Sequence, residues 1–216
     1  MTMASSPQFN TTSMVLNPAE QPEPQRTYVM FGTRRGGTSM AAGVLRALGL
    51  DLGDVGRRKN NEDPNFQSGG PTRMRAAIEK RNAEQDVWGW KFPAAATYLP
   101  AVFRSIRNPF LVVVYRDPVA AALSQARLDG RHNRRSARIS LHEGNANTNM
   151  NTGFVLATDR PCLLISNEKA LHDPSPLIDE LADFLHAPRP GDELRAQILD
   201  YMAPGQYKSF DEFFGT

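Results

Sequence analysis

One stretch constrains this chain more than any other. Residues Tyr28 to Leu48 read YVMFGTRRGGTSMAAGVLRAL. Tyr28-Val29-Met30-Phe31 is a short apolar run, as in a buried strand, and Gly32 ends it. A tight turn with Arg34, Arg35, Gly36 and Gly37 follows. After Thr38 and Ser39, the apolar residues Met40, Val44, Leu45 and Leu48 recur at helical spacing. The pattern is strand, glycine-rich basic loop, helix. Glycines let the backbone turn with its amides inward, and the helix N-terminus adds partial positive charge. Such a loop is suited to a phosphate or a similar anion. The plainer alternative is a glycine turn before a helix, with solvated arginines.

Gly32 and Gly37 have the spacing of a Walker A loop, but Thr38 stands where the Walker lysine belongs, with Ser39 after it. The basic groups come earlier, at Arg34 and Arg35. In a nucleotide triphosphatase that lysine reaches the outer phosphates and the next hydroxyl holds magnesium. Its loss argues against such an enzyme, and against a small P-loop kinase, but not against a phosphate site.

The rest of the chain supplies the frame. Residues 1–26 are rich in Ser, Thr, Asn, Gln and Pro and are read as a mobile N-terminal tail, with Phe9 or Met14-Val15-Leu16 available for a short contact. Residues 27–216 are read as a single domain. Polar residues 54–71 predict a loop beside the site. A helix is expected from Pro71 to about Gln85, with Thr72, Met74 and Ile78 facing inward. Val87 to Lys91 reads as a second strand, closed by Pro93. A short helix fits Tyr98–Ile106. Phe110 to Tyr115 is apolar on both faces, as a central parallel strand should be, and leads into Arg116-Asp117-Pro118. There Asp117 can cap a helix and Pro118 suits its first turn.

Beyond that helix, Arg127, Arg131, His132, Arg134, Arg135 and Arg138 form either a basic rim for an anionic ligand or a solvated loop. A helix is expected over 139–158. Cys162–Ser166 is a fourth strand, and amphipathic helices follow over 176–185 and 192–202. The aromatic end, Tyr207 to Phe214, is expected to dock on the core. Strands alternating with helices predict an α/β fold, a three-layer sandwich with a mainly parallel central sheet. Ligands in such folds bind beyond the carboxyl ends of the strands. Arg35, Lys91 and Arg116 all fall at such ends, so three basic groups should converge on one crevice.

Composition sets limits. The 25 Lys and Arg against 23 Asp and Glu leave a net charge of only +2, which gives no reason to expect a nucleic-acid partner. The single cysteine, Cys162, excludes an intrachain disulfide and sits in an apolar strand, as a packed thiol does. No run of about 18 apolar residues is present, and no basic start leads into an apolar segment. The expectation is a protein without a membrane span, located in the cytoplasm.

These motifs together resemble the PAPS-dependent sulfotransferase family, where PAPS is 3'-phosphoadenosine 5'-phosphosulfate. Gly32 to Ser39 looks like that family's 5'-phosphosulfate loop, a basic residue followed by S-G-T-[ST]. Val113 to Pro118, with Ser124 eight residues beyond Arg116, looks like its 3'-phosphate motif. Trp88 to Pro93 resembles a W-x-x-K-D-P stretch of bacterial members, and Ser166–Leu171 and Ala182–Leu185 are similar to late family segments. The likeness spans about Tyr28 to Leu185.

The resemblance implies a P-loop-like fold and a sulfotransferase that moves a sulfuryl group from PAPS to an acceptor hydroxyl or amine. PAPS would be the co-substrate, with no metal. Arg35 would face the transferring group, with Arg34 beside it. The amides of Gly36, Gly37, Thr38 and Ser39 and the two hydroxyls would hold the 5'-phosphate. Arg116 and Ser124 would bind the 3'-phosphate, and Lys91 would act at the reacting centre. Some positions depart from the family. Gly36 replaces its usual loop serine, and Phe92 follows Lys91 where aspartate is frequent. Gln67 stands where a carboxylate base is often supplied, leaving Glu62 as the stand-in, with neighbouring Asp63 and distant His132 as further candidates. The missing base also suggests a relative that binds PAPS or PAP, the desulfated product, without turnover.

Overall fold

The computed structural model describes residues 6–56, 60–129, 134–203 and 209–215. Its centre is a sheet in the order β1-β2-β6-β5-β3-β4. The strands are β1 (Gln8–Phe9), β2 (Ser13–Leu16), β3 (Arg26–Gly32), β4 (Val87–Lys91), β5 (Pro109–Tyr115) and β6 (Cys162–Ser166). β4, β3, β5 and β6 run parallel, with Val29 opposite both Trp90 and Leu111, and Val113 opposite Leu164. β3 lies between β4 and β5, so the chain reverses its direction of travel across the sheet there. That reversal opens a crevice at the carboxyl ends of β3, β4 and β5.

The helices are α1 (Thr38–Ala47), α2 (Gly70–Glu84), α3 (Leu99–Val102), α4 (Pro118–Asp129), α5 (Arg134–Leu156), α6 (Asn167–His172), α7 (Ser175–Leu185), α8 (Asp192–Met202) and α9 (Phe210–Phe214). Successive side chains of a strand point to opposite faces, which splits the core in two. Tyr28, Met30, Phe110, Val112 and Val114 pack against α1, α7 and α8. Val29, Phe31, Leu111 and Val113 pack on the other face with Met74, Ile78, Leu99 and Val155 from α2, α3 and α5. The result is an α/β fold of three layers, as expected. Met74 and Ile78 face inward, but Thr72 is exposed because it lies on the outer side of α2. Among the described residues no helix is long and apolar enough to cross a membrane.

The N-terminal segment departs from the expectation of a mobile tail. β2 pairs antiparallel with β6, Ser13 opposite Ile165 and Leu16 opposite Cys162, and β1 folds back on β2. Alternate residues of β2 are buried. Glu180 on α7 fixes the hairpin, accepting from the Thr12 amide at 3.0 Å and from the Thr12 and Ser13 hydroxyls. Two of the polar residues that suggested a tail, Thr12 and Ser13, are thus satisfied by one carboxylate. At the other end Phe210 meets Tyr201 edge-on and Phe213 and Phe214 lie tilted against it, as the aromatic end predicted; Tyr207 lies outside the described residues. Cys162 is fully buried, and burial pushes its thiol up to about 12, fitting a packed thiol.

Candidate active site

The strand–loop–helix forms as the sequence predicts, and packing explains each glycine of the loop. A Cβ on Gly32 would lie 2.3 Å from the Val114 carbonyl oxygen of the neighbouring strand. One on Gly36 would lie 2.4 Å from the Thr33 carbonyl oxygen, so the family's serine has no room in this loop. Gly37 has φ 86, and a Cβ there would meet Asn167 Oδ1 at 2.0 Å. Arg35 also has positive φ, 64, a conformation uncommon outside glycine. Alternating left- and right-handed residues make a concave nest of amides. The amides of Thr38 and Ser39, the first two of α1, add to it, while those of Met40 and Ala41 already donate to the Gly37 carbonyl.

Lys91 ends β4 with its side chain 1 % exposed. Its Nζ donates to Glu62 Oε1 at 2.7 Å, to the Asn60 carbonyl at 2.9 Å and to Ser39 Oγ at 3.1 Å. All three ammonium protons are therefore directed at oxygens. Burial pulls its pKa below the ordinary 10.5; Glu62 opposes that shift, and nearby Arg35 adds to it. Glu62 Oε2 accepts from Gln67 Nε2 at 3.3 Å. Asn61, buried and with φ 55, locks this segment onto α1, donating to the Ser39 carbonyl and accepting from Arg46 Nη1 at 2.8 Å. Asp63 is spent on structure: it accepts from the amides of Asn65 and Asp54 and caps the turn at Pro64–Phe66.

Arg116 follows β5. Its Nη1 donates to the Arg35 carbonyl at 2.6 Å, and its Nε lies 3.9 Å from Glu168. Asp117 caps α4 as expected, accepting from the Ala120 amide at 2.8 Å. Ser124 sits further along α4.

A cavity of about 1110 Å³ takes in Arg34, Arg35, Gly36, Gly37, Thr38, Ser39, Glu62, Lys91, Arg116 and Ser124. The structure thus brings together every residue that the sequence reading placed in the site, apart from the auxiliary candidates Asp63 and His132. His132 and Arg131 lie outside the described residues. Arg127, Arg135 and Arg138 are exposed and do not line the cavity, which fits the solvated reading of that basic cluster. Asn60, in the loop read as standing beside the site, borders the cavity, as do Asn167 and, on α5, His142 and Glu143; the sequence reading singled out none of these four as site residues. Only the helical phase of α5 could have pointed to the last two. Among the described residues no group of three or more His, Cys, Asp or Glu is gathered as a metal site.

No protein-family model matches the chain, and no curated protein matches it. Solved structures do. A sulfotransferase domain from the curacin biosynthetic pathway aligns with a TM-score of 0.55 at 16% identity, over 87% of this chain and 82% of that one. The sulfotransferase domain of the Synechococcus PCC 7002 olefin synthase gives 0.54 at 16% identity, over 92% and 90%. A sulfotransferase from Mycobacterium tuberculosis H37Rv gives 0.51 at 12% identity, over 89% and 76%. At such identities the likeness concerns architecture, and on that ground the chain has the fold of the bacterial sulfotransferases.

Proposed function

We propose that this protein transfers a sulfuryl group from PAPS to an acceptor hydroxyl or amine and releases PAP. The observation that carries this reading is the convergence of Arg35, Lys91 and Arg116, from three strand ends, on one cavity behind a phosphate-type loop without a Walker lysine. In the transfer, a bond forms from the acceptor oxygen or nitrogen to sulfur. The bond from sulfur to the bridging oxygen breaks, and that oxygen gains charge. Arg35, which keeps its proton, and the loop amides stabilise this charge. Arg116 and Ser124 hold the 3'-phosphate. Lys91 is a fixed cation beneath the loop that orients Ser39.

The acceptor must also lose a proton. Glu62 is the carboxylate assigned to this task from the sequence. Its engagement with Lys91 and Gln67 equally suits a group that holds the ammonium in place. His142, exposed on the cavity wall, is the alternative base. Engagement of Glu62 also favours a second reading, a protein that binds PAP without turnover.

The test is incubation with labelled PAPS and an acceptor panel, with PAP formation followed in EDTA. Turnover is expected to be nearly unchanged by the chelator, since no outer phosphate charge needs a metal to offset it. Strict magnesium dependence with transfer from ATP would overturn the proposal; tight PAP binding without turnover would select the second reading. Given turnover, Glu62→Gln and His142→Ala distinguish the two bases, since loss of the true one lowers the rate about 100-fold.

A further inference from the structure

We infer that Arg116 is a positioning residue as well as a 3'-phosphate ligand: it couples the 3' end of the nucleotide to the loop that carries Arg35. The inference rests on the reading above and extends it. Arg116 Nη1 donates to the main-chain oxygen of Arg35 at 2.6 Å. That oxygen belongs to the one non-glycine residue of the loop with positive φ. Arg35 is thus held in an uncommon backbone conformation by a guanidinium from another strand, and the direction of its side chain follows from that conformation.

Two further observations point the same way. Nε of Arg35 and Nε of Arg116 are both buried without a hydrogen-bond partner among the described residues. Each guanidinium, on a residue that lines the cavity, thus has an Nε donor that no acceptor among the described residues uses. A guanidinium has five N–H donors in a rigid fork. One spent on the Arg35 carbonyl leaves enough for a bidentate phosphate contact. The same fork can therefore hold the loop and the 3'-phosphate at once. Glu168 sets its approach: its Oε1 accepts from the Asp117 amide at 3.1 Å and lies 3.9 Å from Arg116 Nε.

The consequence concerns rate as well as affinity. A 3'-phosphate that orders Arg116 also orders the carbonyl of Arg35, and so places the cation that meets the transferring group. Binding energy from a remote part of the substrate is then used at the reacting centre. Ser124 lines the same cavity from α4 without a hydrogen bond to the loop among the described residues, so its contribution is to affinity alone.

The experiment compares PAPS with adenosine 5'-phosphosulfate, the same donor without the 3'-phosphate, and PAP with AMP by calorimetry. It uses wild type, Arg116→Ala, Arg116→Lys and Ser124→Ala, with thermal unfolding as the check on folding. Wild type is expected to favour PAPS in kcat as well as in KM. Arg116→Ala should lower kcat with adenosine 5'-phosphosulfate, and weaken AMP, by about tenfold each, the scale of one charge-assisted hydrogen bond. A residue that reads only the 3'-phosphate would change neither. Arg116→Lys keeps a donor for the carbonyl but, with one nitrogen in place of a fork, cannot add a bidentate phosphate contact, so it should recover turnover of the truncated donor while losing most of the preference for PAPS. Ser124→Ala should weaken PAP and leave AMP affinity unchanged, the pattern of a residue that meets the 3'-phosphate without holding the loop.

Wild-type turnover of the truncated donor, with wild-type AMP affinity, in Arg116→Ala would overturn the coupling. Should the alanine variant fail to fold, an Arg116→Lys protein that keeps the full kcat advantage of PAPS would overturn it instead. Wild type that neither turns over PAPS nor prefers PAP to AMP would point to failure of the functional reading itself. The AMP affinities of the variants would still test the link between Arg116 and the loop.

Discussion

Arg35 combines two properties that seldom coincide. It is a non-glycine residue in the left-handed region, and in the proposed reaction it is the cation nearest the breaking bond. Replacing it with alanine should lower kcat by about a hundredfold or more, the range for loss of one donor that acts on developing charge. PAP affinity, measured by calorimetry, should fall less. A variant with normal kcat and a raised KM alone would make Arg35 a simple binding residue.

Lys91 invites a different measurement. Burial holds its pKa below the ordinary 10.5, only partly offset by Glu62. Between the depressed folded value and 10.5, the unfolded chain binds more protons than the folded one, so this group makes stability rise with pH in that window. Below the window its cost is constant, and above it the cost is gone. Urea titrations of wild type and Lys91→Met should show the difference, wild type minus variant, moving in favour of wild type as pH rises through the window. A flat difference would mean that the ammonium is not perturbed.

At the scale of elements, the N-terminal hairpin gives the clearest stability test. Glu180 accepts three hydrogen bonds from Thr12 and Ser13, and Thr12 is 1% exposed. Glu180→Ala leaves those donors without their partner, at roughly 1–3 kcal/mol for a buried group. The denaturation midpoint should fall accordingly, while Glu180→Gln, which keeps an acceptor, should lose less.

This hairpin was legible only in part: Phe9 and Met14-Val15-Leu16 make the contact open to them, but the polar residues around them read as a tail, and the reason is physical. Polar residues such as Thr12 and Ser13 carry no local sign of the carboxylate that satisfies them, because that carboxylate is 168 residues from Thr12. β3, β5 and β6 were legible because a strand buried on both faces is a continuous apolar run. The loop was legible because its geometry leaves no room for side chains at Gly32, Gly36 and Gly37. The contacts of Lys91 with Glu62 and of Arg116 with Arg35 were not legible, since they depend on how separate loops meet over the strand ends.

For the whole molecule, the order of the strands matters more than their number. β3, the first strand of the parallel set, lies between β4 and β5, so the basic residues that follow these three strands face one crevice. The α5 wall adds His142 and Glu143, and the C-terminal end of α8 adds Tyr201 and Met202. This part of the cavity wall is thus assembled from parts of the chain that share no motif.

The seam between β2 and β6 also sets an order of events during synthesis. β2 leaves the ribosome before any strand of the parallel set, yet its partner, Cys162–Ser166, is the last strand to be made. The opening segment must wait while β3, β4 and β5 assemble behind it. Once β6 has joined β5, its outer rim has unpaired amides and carbonyls until β2 docks, the kind of template on which another chain can add a strand. Docking of residues 13–16 closes that rim, so the stretch that looks most dispensable in the sequence is the one that seals the finished sheet against its neighbours.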